Sequence, residues 1–214
     1  MNSDRKCYGQ RCPMATALDV VGERWTLLIL RELLGGAARY NQLLEGLPGI
    51  ARNLLSARLR RLEGDGIVQR VEIGGASAYA LTELGAGIRP TLEALGFWGA
   101  KLERIGPAEH DRSIRAIAMT LQAILVHGGG PLPDEPVLVE LTIGGENLEI
   151  VLGPKPQVVG RASPHAAARV ELPRATMSGY LSGETTVHGG FVHVSGDPAV
   201  TAALGMALRI PVAG

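Results

Sequence analysis

Aromatic residues are scarce: Phe, Trp and Tyr make up 4% of this 214-residue chain. A surface that stacks unpaired bases needs rows of such rings, so the composition argues against single-stranded nucleic acid as the partner. Cysteine is equally rare, with Cys7 and Cys12 alone. Two thiols make neither a disulfide framework nor a zinc-ribbon set. Net charge is absent, with 21 Lys and Arg against 21 Asp and Glu. Apolar runs such as Leu27-Leu28-Ile29-Leu30 stay far below the ~18 residues of a membrane span. The first residues are polar and charged, unlike a signal peptide. The expectation is a cytoplasmic protein with reduced thiols and no membrane partner.

What is present is a globular composition, 46% hydrophobic and 20% charged, with 29 Gly and 13 Pro. The length suits one large or two small domains. Charge is unevenly spread: through Ile105 there are 14 basic and 11 acidic residues, and from Gly106 onward 7 and 10. That polarity, with the Gly106-Pro107 break, divides the chain into domains 1–106 and 107–214.

In the first half, helical spacing runs from Pro13 to Leu34, broken near Gly22. A short helix is expected over Tyr40–Glu45, then a turn Gly46-Leu47-Pro48-Gly49, then a helix over Ala51–Glu63. In that last helix Leu55, Leu59 and Leu62 repeat at i, i+4, i+7, while Arg52, Asn53, Ser56 and Arg60 occupy another face. Strand-like runs Ile67–Ile73 and Ala78–Thr82 flank Gly74-Gly75, a hairpin signal. A helix from Thr82 to Arg104 follows. Helix, turn, helix and hairpin is the layout of a winged helix-turn-helix. Its recognition helix buries an apolar stripe and turns a short polar face to the major groove. Arg52, Asn53, Ser56 and Arg60 suit that face, since Arg pairs with guanine edges and Asn with adenine. Arg39 and Arg70 suit phosphates. An ordinary solvated face fits the same pattern.

Several blocks sharpen the reading: Cys12-Pro13, Ala17 through Leu33, Arg39-Tyr40-Asn41-Gln42-Leu43, Leu47-Pro48-Gly49-Ile50, Leu59-Arg60-Arg61-Leu62-Glu63 with Asp65-Gly66, and Tyr79 through Gly85. Together, over roughly residues 7–105, they resemble the HxlR-type transcriptional regulators. The resemblance implies a homodimer that binds a double-stranded operator, joined through its first helix and the helix after the wing. Phe97, Trp98, Leu95 and Leu102 supply apolar area there. Where such regulators commonly cap the recognition helix with Ser or Thr, this chain has Ala51. Cys12 stands at a helix start beside Arg11, where the dipole favours a thiolate. A cysteine at the matching position senses oxidants or electrophiles in some members of that family. The alternative is an inert thiol kept for packing.

The second half begins with a helix near Asp111–Val126, followed by β-like runs Val137–Ile143, Asn147–Leu152 and Ala167–Leu172. A helical stretch Arg174–Leu181, a strand Phe191–Ser195 and a helix Pro198–Leu208 complete it. The fold class is α+β. The segments Gly160–Ala167, Val170–Pro173, Leu181–Glu184 and Gly190–Val200 resemble the sterol-carrier-protein-like fold, shortened between Gly183 and Gly190. That resemblance implies a sheet roofed by helices, able to enclose an apolar effector. Met177, Tyr180, Leu181, Val192 and Leu204 are the candidate liners; ordinary core packing is the competing account.

No nucleophile elbow, P-loop or Rossmann fingerprint appears. The histidines 110, 127, 165, 188 and 193 show no metal-ligand spacing. Neither catalysis, a metal nor a cofactor is therefore expected. The resulting expectation is a dimeric DNA-binding transcriptional regulator controlled by an apolar molecule or by thiol oxidation. The rival is a small-molecule or lipid carrier whose winged helix only dimerises.

Overall fold

A computed structural model describes residues 7–99, 102, 113–128, 130–159, 165–173, 177 and 193–208. Contacts divide the chain into two compact units, Met1–Arg89 and Pro90–Gly214. The boundary expected at Gly106-Pro107 falls on residues outside the description.

The first unit holds helices α1 (Pro13–Val21), α2 (Thr26–Leu34), α3 (Tyr40–Gly46) and α4 (Arg52–Gly64). Strands β1 (Val68–Ile73) and β2 (Ala76–Leu81) and the short helix α5 (Glu83–Ala86) follow. Pro13 opens α1, where its missing N–H costs nothing. Trp25 interrupts the path into α2 at φ 79°, a left-handed conformation strained for a bulky side chain. Its indole reaches the helix-turn-helix turn, 3.7 Å from where a Cβ on Gly49 would stand.

The Leu55, Leu59 and Leu62 stripe of α4 is fully buried, joined in the core by Ile29, Leu30, Leu43 and Leu47. Burying each such leucine contributes roughly 1.5–3 kcal/mol. β1 and β2 pair antiparallel, Val68 opposite Leu81 and Ile73 opposite Ala76. Gly74 and Gly75 both take positive φ, 56° and 74°, as a tight primed turn requires. Ala38 adds a bridge to Tyr79, so a stub of third strand supports the wing.

The second unit contains α6 (Arg89–Gly99, starting at the boundary), α7 (Ile114–His127) and α8 (Pro198–Leu208). Five strands, β3 (Val137–Ile143), β4 (Glu146–Leu152), β5 (Gln157–Val159), β6 (Ala168–Leu172) and β7 (His193–Gly196), form a sheet ordered β5-β4-β3-β6-β7. Only the β3–β6 pairing is parallel among these.

Alternation turns Val139, Leu141, Ile143, Leu148, Ile150 and Leu152 into one core with Ile117, Leu121 and Leu125 of α7 and Leu204 and Leu208 of α8. Strand β5 has too few residues to show alternation, and the sequence reading lacks it. Gln122 holds it: its Oε1 accepts from Val158 N–H at 2.8 Å and its Nε2 donates to Pro156 O at 2.9 Å. At Gly196 the backbone takes φ +104°, and a Cβ would stand 2.4 Å from Ala167 O. That turn admits only glycine and leads through Asp197 into α8.

The helix expected over Thr82–Arg104 is instead two, α5 and α6. Thr82 starts the first by accepting from Gly85 N–H at 3.0 Å. Gly87 ends it, and Pro90 fits the first turn of the second. The helical stretch expected near Arg174–Leu181 lies outside the described residues except for Met177, as do Phe191 and Val192 of the expected strand.

Candidate nucleic-acid interface

Helix α4 is positioned by three attachments. Its leucine stripe fixes the buried side. On a second side, Glu23 of the α1–α2 junction forms ion pairs with both Arg58 and Arg61. These three side chains are 20–39% exposed, so the pairs locate the helix more than they stabilise it. At the start of the helix, Tyr40 of α3 donates its hydroxyl to Arg52 O at 2.7 Å, and Ser56 Oγ lies 3.2 Å from the same phenol. Ala51, the residue before α4, makes no side-chain cap, so the tyrosine is the attachment that ties this end down.

What remains uncovered is the polar face. Arg52, Asn53 and Arg60 are exposed, and Ser56 is half-buried. Successive steps of four residues place 52, 56 and 60 along one line, with 53 beside them. The Asn53 carbonyl Oδ1 accepts from Leu54 N–H at 2.9 Å. The guanidinium groups of Arg52 and Arg60 make no ion pair among the described residues. Four arginines on one helix thus split into two kinds: Arg58 and Arg61 hold the helix, and Arg52 and Arg60 project from it.

Arg39 and Arg70 are attached to the wing. Arg39 donates to Ile73 O at 3.0 Å, beside the hairpin turn. Arg70 pairs with Glu63 at 3.3 Å and lies over the Tyr79 ring at 5.2 Å. Both are exposed, so each keeps a guanidinium edge toward solvent. The structure adds Tyr40, Glu23, Arg58 and Arg61 to the residues that sequence reasoning selected. Helix-face counting alone points to none of them, because their partners lie 12–38 residues away.

Cys12 immediately precedes α1 and is half-buried. It lines an open, mainly apolar cavity of about 900 Å³ with Arg11, Val20, Val21, Leu30, Ile67, Leu84 and Ile88. Cys7 is exposed. In the second unit, Met177 and Leu204 are 1% and 2% exposed inside the main core. Tyr180, Leu181 and Val192, the other expected pocket liners, lie outside the described residues. Among the described residues there is no group of His, Cys, Asp or Glu fit to hold a metal, and no helix long and apolar enough to cross a membrane.

A family model described as HxlR-like helix-turn-helix matches residues 20–105. The HTH-type transcriptional regulator sll1512 of Synechocystis sp. is 41% identical over 90 residues, 41% of this chain and 67% of its own. YdeP of Bacillus subtilis, also an HTH-type transcriptional regulator, is 33% identical over 105 residues, 47% of this chain and 82% of its own. Among solved structures, quinone-bound YodB from B. subtilis shares 32% identity, covering 42% of this chain and 99% of that one at a TM-score of 0.38.

Proposed function

Because this chain belongs to the HxlR-like helix-turn-helix family, we propose that it is a transcriptional regulator that binds double-stranded DNA as a homodimer. The observation that carries the reading is the α4 surface. Arg52, Asn53 and Arg60 stand exposed along one face while the leucine stripe and the Glu23 pairs hold the helix rigid. In this reading α4 enters the major groove, and Arg39 and Arg70, both attached to the wing, meet phosphates.

Apolar residues left exposed support dimerisation: Met14 at 67% and Leu18 on α1, Trp98 at 57% and Leu95 on α6. The test is selection of bound duplexes from a random pool by the purified protein. Enrichment of a two-fold symmetric sequence supports the reading, and recovery of unenriched DNA refutes it.

Regulation through Cys12 is the second part of the proposal, and its support is the thiol's position on the open apolar cavity. Oxidation or alkylation there changes the packing around α1. The C-terminal unit is proposed as a sterol-carrier-like scaffold, on the strength of its roofed sheet and the glycine turn at Gly196-Asp197. Met177 and Leu204 are closed inside the core, so the apolar effector is assigned in this proposal to the open cavity beside Cys12. A panel of hydrophobic ligands that raises the melting temperature of the parent and not of a Val21→Trp variant, altered at a half-buried lining residue, supports that assignment; equal shifts in both refute it.

A further inference from the structure

The hydroxyl chain at the start of α4 fixes what Ser56 offers to DNA. Tyr40 has one hydroxyl proton, and the 2.7 Å contact with Arg52 O uses it, since a carbonyl only accepts. In the 3.2 Å contact between the two hydroxyls, Ser56 is therefore the donor and the phenol oxygen the acceptor. A serine ordinarily both donates and accepts, and so pairs with either kind of base edge. Here its only proton is engaged inside the protein, and two lone pairs remain. Ser56 lies on the line that runs from Arg52 to Arg60, on the face proposed to meet the groove.

We infer that Tyr40 is a positioning residue that sets base preference: it makes Ser56 an acceptor-only reader, matched to an exocyclic amino group in the major groove. Adenine N6 and cytosine N4 carry such groups, whereas guanine O6 and N7 and thymine O4 only accept. Guanine or thymine on the contacted strand would face an oxygen with no proton to give. The inference rests on the proposal that α4 reads DNA, and it assigns that interface one column of its preference.

The experiment is selection from a random duplex pool with the parent, Ser56→Ala and Tyr40→Phe proteins, each verified as folded by its melting transition. The column whose preference Ser56→Ala changes is the column Ser56 contacts. In the parent that column is expected to favour adenine or cytosine over guanine and thymine by about fivefold, the worth of one net hydrogen bond. Tyr40→Phe frees the serine proton, so the preference at that column falls below about twofold while the columns set by Arg52 and Arg60 stand. A parent preference for guanine or thymine there overturns the inference, and this holds even where Tyr40→Phe fails to fold. So does a Tyr40→Phe protein with the column unchanged, or a Ser56→Ala protein that alters no column. A parent that enriches no sequence refutes the DNA-binding reading itself, an outcome distinct from these.

Discussion

Replacing Arg60 by alanine separates recognition from stability in one substitution. Arg60 is exposed on α4 and makes no ion pair among the described residues. Surface changes of that kind stay within about 0.5 kcal/mol of the parent stability, so the melting temperature should hold. Binding should not. An arginine that pairs bidentately with guanine is worth about 1–3 kcal/mol, which raises the Kd for the selected operator about 5- to 150-fold and relaxes preference at one base pair.

A phosphate contact would leave a different signature. Affinity would fall equally for all sequences, and the slope of log K against log salt would lessen by about 0.9. Anisotropy titrations of a labelled operator at several salt concentrations, repeated on duplexes altered at single positions, distinguish the two. An Arg60→Ala protein that binds as tightly as the parent refutes the assignment of this residue to the interface. A uniform loss with a reduced salt slope moves Arg60 from base reading to the backbone.

The helix-holding arginines predict a different pattern. Glu23→Gln removes the partner of both Arg58 and Arg61 and should cost no more than about 1 kcal/mol of stability by urea denaturation while weakening operator binding; an unchanged operator affinity would sink that positioning role. Gly85→Ala places a Cβ 2.1 Å from Ile67 O, a backbone atom, so α5 and the segment before β1 must move apart and the melting temperature should fall by several degrees. Leu121→Ala hollows the core of the second unit and should cost about 2–5 kcal/mol by denaturation; a loss under 1 kcal/mol would contradict the packing described. Cys12→Ser should keep operator affinity and abolish its loss on hydrogen peroxide treatment, whereas Cys7→Ser should retain the response. Release of DNA from the Cys12→Ser protein by peroxide would exclude Cys12 as the sensor.

Much of the secondary structure was legible because period and punctuation agree in it. The leucine spacing of α4, the Gly74-Gly75 hairpin and the span Pro198–Leu208 follow from side chains a few residues apart. The break between α5 and α6 was harder, because apolar spacing persists through Gly87 while Thr82 and Pro90 impose separate starts. β5 escaped because three residues carry no period, and its hold on the sheet comes from Gln122 on a distant helix.

The interface divides along the same line between near and far interactions. Residue type and helical spacing select Arg52, Asn53, Ser56 and Arg60, and the same count puts Arg58 and Arg61 elsewhere on the helix with equal chemical claim to DNA. What separates the two sets is Glu23, an acid 35 and 38 residues earlier whose carboxylate meets one set and not the other. Tyr40 acts at the same range: as sequence it is an aromatic at the start of a short helix, and only the fold brings its hydroxyl to Arg52 O and Ser56. Local pattern therefore nominates the side chains that can face a groove. Long-range hydrogen bonds decide which of them remain available there, and with which donors and acceptors.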